Sequence, residues 1–177
     1  MAPITYREAD EGDIPEIRRV AAKAWGHTYR GIYSPARKRR SVQKFYSPGA
    51  LQSAIRRAKN SRTFFLLAFD GEELVGYANG GRIGSPWLNP SRPQGKRLNV
   101  RGWELYRIYL LPDHIGKGVG RSLLDRWEEF LRKKGAKRYF VSYVSSNKLA
   151  GNFYRQNGFV RADAYDAGDA HCAVKAL

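Results

Sequence analysis

The sequence predicts a mixed α/β fold in a single domain spanning residues 1–177. Three observations predict it. Short β-type apolar runs alternate with stretches whose apolar residues recur at helical spacing, with no internal repeat or linker. A chain of 177 residues, 42% apolar and 13% aromatic, is long and apolar enough for one packed core. A glycine cluster, "HIGKGVGRSLLDRW" at 114–127, sits where a strand-like run gives way to a helical one.

Each element follows from its residues. Ile4–Arg7 reads as a short strand. Asp10 and Asp13 are N-cap candidates for a helix with Ile14, Ile17, Ala21, Ala24 and Trp25 on one face, and Pro15 suits its first turn. "YRGIYSPARKRR" (29–40) breaks that pattern with Gly31 and Pro35 and reads as a loop or a frayed helix. Gly49–Lys59 carries Leu51, Ala54, Ile55 and Ala58 at helical spacing. "TFFLLAF" and "LVGYANG" are strands of a hairpin joined through Asp70-Gly71. Residues 81–102, rich in Gly, Pro, Asn and Arg, read as one long loop of the kind often used for function.

"WELYRIYLL" is a strand stopped by Pro112. Val119, Leu123, Leu124, Trp127, Phe130 and Leu131 mark a helix ending at Gly135. "RYFVSYVSS" is a strand, Asn147–Asn157 a helix, and the regions around Phe159–Ala164 and His171–Ala176 are the last two strands. The predicted order is β-α-α-β-β-β-α-β-α-β-β.

Composition excludes several classes. No stretch reaches the roughly 18 apolar residues of a membrane span, and the N-terminus lacks a basic segment followed by an apolar one, so a cytoplasmic protein is expected. A single cysteine, Cys172, rules out an internal disulfide. Three histidines and one cysteine show no metal-ligand spacing, and no metal is expected. The formal charge is +16 and unevenly spread: no acid occurs from Ile17 to Phe69, and Ile17–Trp103 balances to +15. Such a field attracts anions. A general solubility bias would leave the same signature.

The glycine cluster has a physical reading. Glycine in regular structure costs about 0.5–1 kcal/mol relative to alanine. Here Gly116, Gly118 and Gly120 precede a helix whose first N–H groups lack intrahelical partners and carry the positive end of the dipole. A pyrophosphate approaching the bare backbone satisfies those groups, with Lys117 and Arg121 adding charge. The spacing G-x-G-x-G is neither a P-loop, since Arg121-Ser122 follows Gly120, nor the dinucleotide G-x-G-x-x-G. A tight β–α turn with glycines for packing alone is the competing explanation.

"IYLLPDHIGKGVGRSLL" (108–124) followed by "NKLAGNFYRQNGF" (147–159) closely resembles the two signature motifs of the GNAT superfamily of acyl-CoA-dependent N-acyltransferases. The first is similar to the pyrophosphate motif Gln/Arg-x-x-Gly-x-Gly/Ala. The second places Asn147, Ala150, Phe153, Tyr154, Gly158 and Phe159 at family spacing. The resemblance implies a mostly antiparallel mixed sheet, splayed between its two central strands and flanked by about four helices. It implies acetyl-CoA as co-substrate and direct attack by a primary amine while both substrates are bound.

It also implies roles. Ile108, Tyr109 and Leu110 would offer backbone groups to the pantetheine arm. Gly116, Lys117, Gly118, Val119, Gly120 and Arg121 would hold the pyrophosphate, Asn147 would lie beside the thioester, and Tyr154 would protonate the leaving thiolate. A phenol of pKa about 10 suits a thiolate whose conjugate acid is near 8.5. Core packing is the alternative for Tyr154. Ile115 departs from the usual Gln or Arg, which predicts weaker cofactor binding. Glu104 matches the position where many members carry a glutamate base; others use the next strand, where this chain has Ser142. A salt bridge to Arg107 or Arg101 is the alternative for Glu104, and Tyr106 and Tyr109 offer a water relay.

In the family the acceptor is held by the first two helices and the loop between the third and fourth strands, here the basic segments. Trp25, Tyr29 and Tyr33 are the acceptor-side candidates, with Trp87 and Trp103 beside them. "WGHTYRGIYS" (25–34) resembles the substrate helix of a subgroup that includes polyamine acetylases, whereas the charge favours an acidic peptide or protein, an anionic small amine, or a protein bound to nucleic acid. A homodimer also fits the family. Two readings of another class stand beside the enzyme: a nucleic-acid-binding module using Arg37–Arg40 and "KRLNVR", and an acyl-CoA sensor without turnover.

Overall fold

A computed structural model of the chain describes residues 3–60, 63–83 and 101–177. Among these, seven strands form one sheet in the order β1-β2-β3-β4-β5-β7-β6. They are β1 (Ile4–Glu8), β2 (Thr63–Asp70), β3 (Glu73–Arg82), β4 (Trp103–Leu110), β5 (Arg138–Val144), β6 (Val160–Arg161) and β7 (Ala170–Ala176). Every described pairing is antiparallel except β4 with β5. Five α-helices cover the sheet: α1 (Ile14–Thr28), α2 (Pro35–Phe45), α3 (Pro48–Lys59), α4 (Val119–Lys133) and α5 (Lys148–Gln156).

The fifth helix is α2, in the segment expected as a loop. Pro35 does not break a helix there but begins one. Ser34 takes the N-cap, its hydroxyl accepting from the Arg37 amide at 3.2 Å, and proline fits the position after it because its missing N–H is not needed. The same Ser-Pro start recurs at Ser47-Pro48 of α3. No residue of α2 is fully buried, so its apolar stripe is too weak to read from periodicity.

Only one of the two expected caps works as one. Asp10 caps the short turn leading into α1, and Asp13 instead accepts from the Asp10 amide at 2.8 Å and from both Arg7 guanidinium nitrogens at 2.6 and 2.7 Å. The strand expected around 159–164 shrinks to Val160–Arg161, because a 3-10 turn at Asp163–Tyr165 bends the chain away. Of the expected loop at 81–102, Gly81 and Arg82 extend β3, and residues 84–100, with Trp87, lie outside the described residues.

The sheet carries a core on each face. Tyr77 of β3 meets Tyr46, between α2 and α3, at 6.2 Å between ring centroids. Three residues on and pointing the other way, Gly80 faces Trp127 of α4, where a Cβ would sit 2.7 Å from the indole ring. Trp103, Trp127, Phe130, Tyr139 and Phe159 form an aromatic layer on the α4 side.

Two irregularities shape the middle of the sheet. Opposite Asn79 and Gly80, β4 inserts Tyr106 as an extra residue, since Asn79 pairs with Arg107 and Gly80 with Leu105. The bulge turns the outer half of β4 relative to its start. On its other side β4 pairs with β5 only at Glu104–Phe140 and Leu105–Val141. Beyond Leu105 the two strands part, as the expected splay requires.

Candidate active site

The parting of β4 and β5 opens a cleft floored by the sheet. It is lined by Tyr106, Arg107, Ile108, Tyr109 and Leu110 of β4, Ser142 and Tyr143 of β5, Tyr29 of α1, Ile115 and Gly120 of the glycine turn, and Asn147, Ala150, Phe153 and Tyr154 around α5. Seven sequence-predicted residues meet there: Tyr29, Ile108, Tyr109, Leu110, Gly120, Asn147 and Tyr154. On its β5 side, β4 has no strand partner beyond Leu105, so an extended ligand can pair with that edge.

At one end of the cleft lies the glycine turn. Gly116 and Gly118 hold φ of +81° and +83°, a left-handed conformation that costs an L-residue about 1–2 kcal/mol. Gly118 is the N-cap of α4 and no side chain caps the helix. The Ser122 amide donates to the Gly118 carbonyl at 3.0 Å, and the amides of Val119, Gly120 and Arg121 precede it at the positive end of α4. A Cβ at Gly116 or Gly118 would point into open space, whereas one at Gly120 would stand 3.3 Å from the Phe153 ring. The three glycines therefore divide their work: two set the turn, and the third lets α4 approach α5.

The flanking side chains differ in the same way. Lys117 is exposed at the turn and Val119 is buried in the core, offering only its backbone. The Arg121 guanidinium bonds Asp125 at 2.8 Å and Asn157 at 3.0 Å, which directs two of its donors within the chain. The turn fits a diphosphate chiefly through amides, an open approach and Lys117.

At the other end sit the ionisable groups. Asn147 is 4% exposed; its Oδ1 accepts from the Ala150 amide at 3.1 Å and so caps α5. Tyr154 packs against Tyr143, Phe153 and Phe159 with centroids 5.1–5.5 Å apart. It is thus packed in the core, as the alternative reading of the sequence had it, and it also lines the cleft. Burial pushes its hydroxyl above the ordinary phenol value, and Tyr29, Tyr143 and Glu104 push the same way. Glu104 is 5% exposed and does not itself line the cleft. Its Oε1 accepts from the Ser142 hydroxyl at 3.1 Å, and Ser142 does line it.

The acceptor-side aromatics separate. Tyr29 faces the cleft, its hydroxyl 3.0 Å from that of Tyr109. Tyr33 stacks on Tyr29 with centroids 4.9 Å apart and carries the Arg37 guanidinium on its ring at 3.7 Å. Trp25 is 1% exposed, donates to the Tyr46 hydroxyl at 3.3 Å and lies outside the cleft lining, because helical spacing turns it toward the sheet core. Trp103 likewise packs into the α4-side aromatic layer. Tyr143 and Arg107 are among the cleft residues the sequence did not mark as ligand-facing, with Thr28 and Leu149. Tyr143 and Arg107 sit inside β-type runs where no local signal distinguishes a cleft-lining side chain from a core one.

Among the described residues no helix is long and apolar enough to cross a membrane. Comparison with known proteins places this geometry in context. Residues 23–159 match the sequence profile described as the Acetyltransferase (GNAT) family. The spermidine N(1)-acetyltransferase of Thermoplasma acidophilum is 28% identical over 157 residues, 88% of each chain. The streptothricin acetyltransferase of Streptomyces lavendulae is 32% identical over 100 residues, 56% of this chain and 45% of the other. The crystal structure of PaiA N-acetyltransferase from Thermoplasma acidophilum in complex with coenzyme A superposes with a TM-score of 0.86 at 27% identity, covering 99% of both chains.

Proposed function

The chain belongs to the Acetyltransferase (GNAT) family and is an acetyl-CoA-dependent N-acetyltransferase, and on that premise we propose that it acetylates a primary amine by direct attack, with Tyr154 as acid and Glu104 as base. The observation that carries this reading is the cleft itself. One parted strand pair has an anion-accepting helix start at one end and a buried tyrosine and a Ser142-linked carboxylate at the other.

Bound acetyl-CoA would supply the activated acyl group. Ile108, Tyr109 and Leu110 would present the unpaired edge of β4 to its pantetheine arm, while Gly116, Lys117, Gly118 and the amides of Val119, Gly120 and Arg121 would hold its pyrophosphate. Asn147, with Oδ1 committed to the α5 cap, would turn its Nδ2 amide to the ligand. Tyr154, held neutral by burial, keeps the proton that a departing thiolate needs. Glu104 takes the proton of the attacking amine through the Ser142 hydroxyl, a relay that accounts for a base set one residue back from the cleft. Tyr29 and Tyr33 would border the acceptor.

The spermidine acetyltransferase relative supports a polyamine as acceptor. The acid-free segment from Ile17 to Phe69 opposes one, because it repels a polycation at long range.

A thermal-shift titration with acetyl-CoA, followed by thiol release in the presence of an amine panel, tests the reading. At about 100 times its dissociation constant a ligand stabilises by about 2.7 kcal/mol, or about 5–10 °C for a domain of this size. Glu104→Gln and Tyr154→Phe should keep that shift and lose thiol release. No shift with acetyl-CoA, or full turnover in both variants, would overturn it.

A further inference from the structure

We propose that a second basin, opening beside the cleft between α2 and α3, binds a carboxylate or phosphate group carried by the amine acceptor. The proposal rests on the transfer reading above and names the class of acceptor. The basin is lined by Lys44, Phe45, Ser47, Ser53, Arg57 and Arg107, and its volume is about 330 Å³, far more than one water needs. Arg107 lines both the basin and the cleft, so the two spaces border the same residue.

Arg107 is the anchor. The bulge at Tyr106 turns it to the helix side of the sheet, where it is 4% exposed. Its Nε is buried and hydrogen-bonds nothing, and the bond its Nη2 donates to the Phe45 carbonyl is long at 3.4 Å. The Tyr46 ring lies 4.8 Å from its guanidinium carbon, a contact worth about 1–2 kcal/mol. Across the sheet from it, Asn79 is buried with its Oδ1 unpaired. A buried guanidinium loses several kcal/mol of hydration, and one long hydrogen bond and one ring contact offset only part of that loss. An anion entering the basin removes that deficit.

The rim repeats the sign of the anchor. Lys44 and Arg57 are exposed, and neither forms an ion pair with a described residue. The Arg57 guanidinium donates to the Ser53 hydroxyl at 2.7 Å, which holds it over the basin. Ser47 is the N-cap of α3, a twelve-residue helix with no acid in its first turn, so the positive end of that helix faces the same space. Tyr106 reports how close basin and base lie: Glu104 pushes its hydroxyl up while Arg57 and Arg107 pull it down, after burial as the largest cause. An acceptor with an amine at Ser142 and Glu104 and an anion at Arg107 spans that gap. A polyamine leaves the guanidinium unpaired.

The test has two arms. In the first, kcat/KM is compared for amines matched except for the anion: ornithine against putrescine, and phosphoethanolamine against ethanolamine. The anion-bearing member of at least one pair should be favoured at least tenfold, and the Lys44→Ala/Arg57→Ala double variant should bring the ratio toward one through KM. In the second, inorganic phosphate is titrated calorimetrically into protein saturated with CoA, which fills the glycine turn. One phosphate site should appear and be lost in the double variant. Equal use of both members of each pair, preference for the polyamine, or phosphate binding that is absent or survives the double substitution overturns the proposal. Failure to acetylate any amine counts against the transfer reading, while the phosphate titration still decides the basin.

Discussion

Replacing Gly118 by alanine isolates the backbone's part in the glycine turn. Gly118 holds φ of +83°, and a methyl there would meet nothing within 4 Å, so no packing changes. The folded-state cost is the left-handed conformation alone, about 1–2 kcal/mol. Alanine also narrows the unfolded ensemble, which returns about 0.4–1 kcal/mol. The net loss is about 1 kcal/mol, or about 2–4 °C in Tm.

The effect on the co-substrate should be larger. A turn that relaxes toward negative φ swings the amides of Val119, Gly120 and Arg121 out of line. Losing one hydrogen bond to a charged group costs about 1.5–3 kcal/mol, hence roughly 10–100-fold in affinity. Gly118→Asn, which tolerates this conformation, should fall between alanine and the native residue. Calorimetric titration with CoA reads affinity and differential scanning calorimetry reads Tm. Unchanged CoA affinity in Gly118→Ala, with the small loss of Tm intact, would mean that the glycine serves only the turn, and the amide-cradle reasoning fails.

Three further outcomes follow from the structure. Because burial raises the Tyr154 hydroxyl above the usual value near 10, it stays protonated through neutral and mildly alkaline pH; a pH–rate series to about pH 10 should show no alkaline fall of native kcat, while Tyr154→Phe should lower kcat about 10²–10⁴-fold with acetyl-CoA KM nearly unchanged. Glu128, 3% exposed, accepts from Tyr139 at 2.8 Å and pairs with Lys175 at 2.5 Å and Arg132 at 3.3 Å; Glu128→Ala should destabilise by about 3 kcal/mol in urea unfolding, and a loss under about 1 kcal/mol would show that the network relaxes. Burial raises the Asp13 carboxyl, but the Arg7 hydrogen bonds and the Asp10 amide outweigh it and hold the group below its ordinary value. Its contribution is thus present above about pH 4 and lost as pH falls through the depressed value. Asp13→Asn should lower Tm by a few degrees at pH 7 and by progressively less as the pH falls below about 4, and an equal effect at neutral and acid pH would exclude the ionic origin.

The features legible in the sequence are those a few consecutive residues impose on their own backbone. Alternation in "TFFLLAF" and "LVGYANG" and the Asp70-Gly71 turn specify a hairpin, and the structure pairs Asp70 with Glu73 across it. Left-handed glycines at 116 and 118 announce the turn before α4, and Asn147 with Ala150 announces the capped start of α5. The Ser34-Pro35 step was legible in the same way, since Ser-Pro is a helix start, but Gly31 and a thin apolar stripe pointed to a loop.

What the sequence by itself determined, then, is the strands, four of the five described helices, the glycine turn before α4 and the capped start of α5, because φ preference, capping and periodicity are local energies. The tertiary structure alone decided which side chains share the cleft. It placed Trp25 in the core beside Tyr46 while Tyr29 faces the opening, linked Glu104 to the cleft through Ser142, and turned Arg107 toward α2 and α3 by one extra residue in β4. Those outcomes depend on strand register and on where β4 and β5 part, which are set by contacts between segments far apart in the chain.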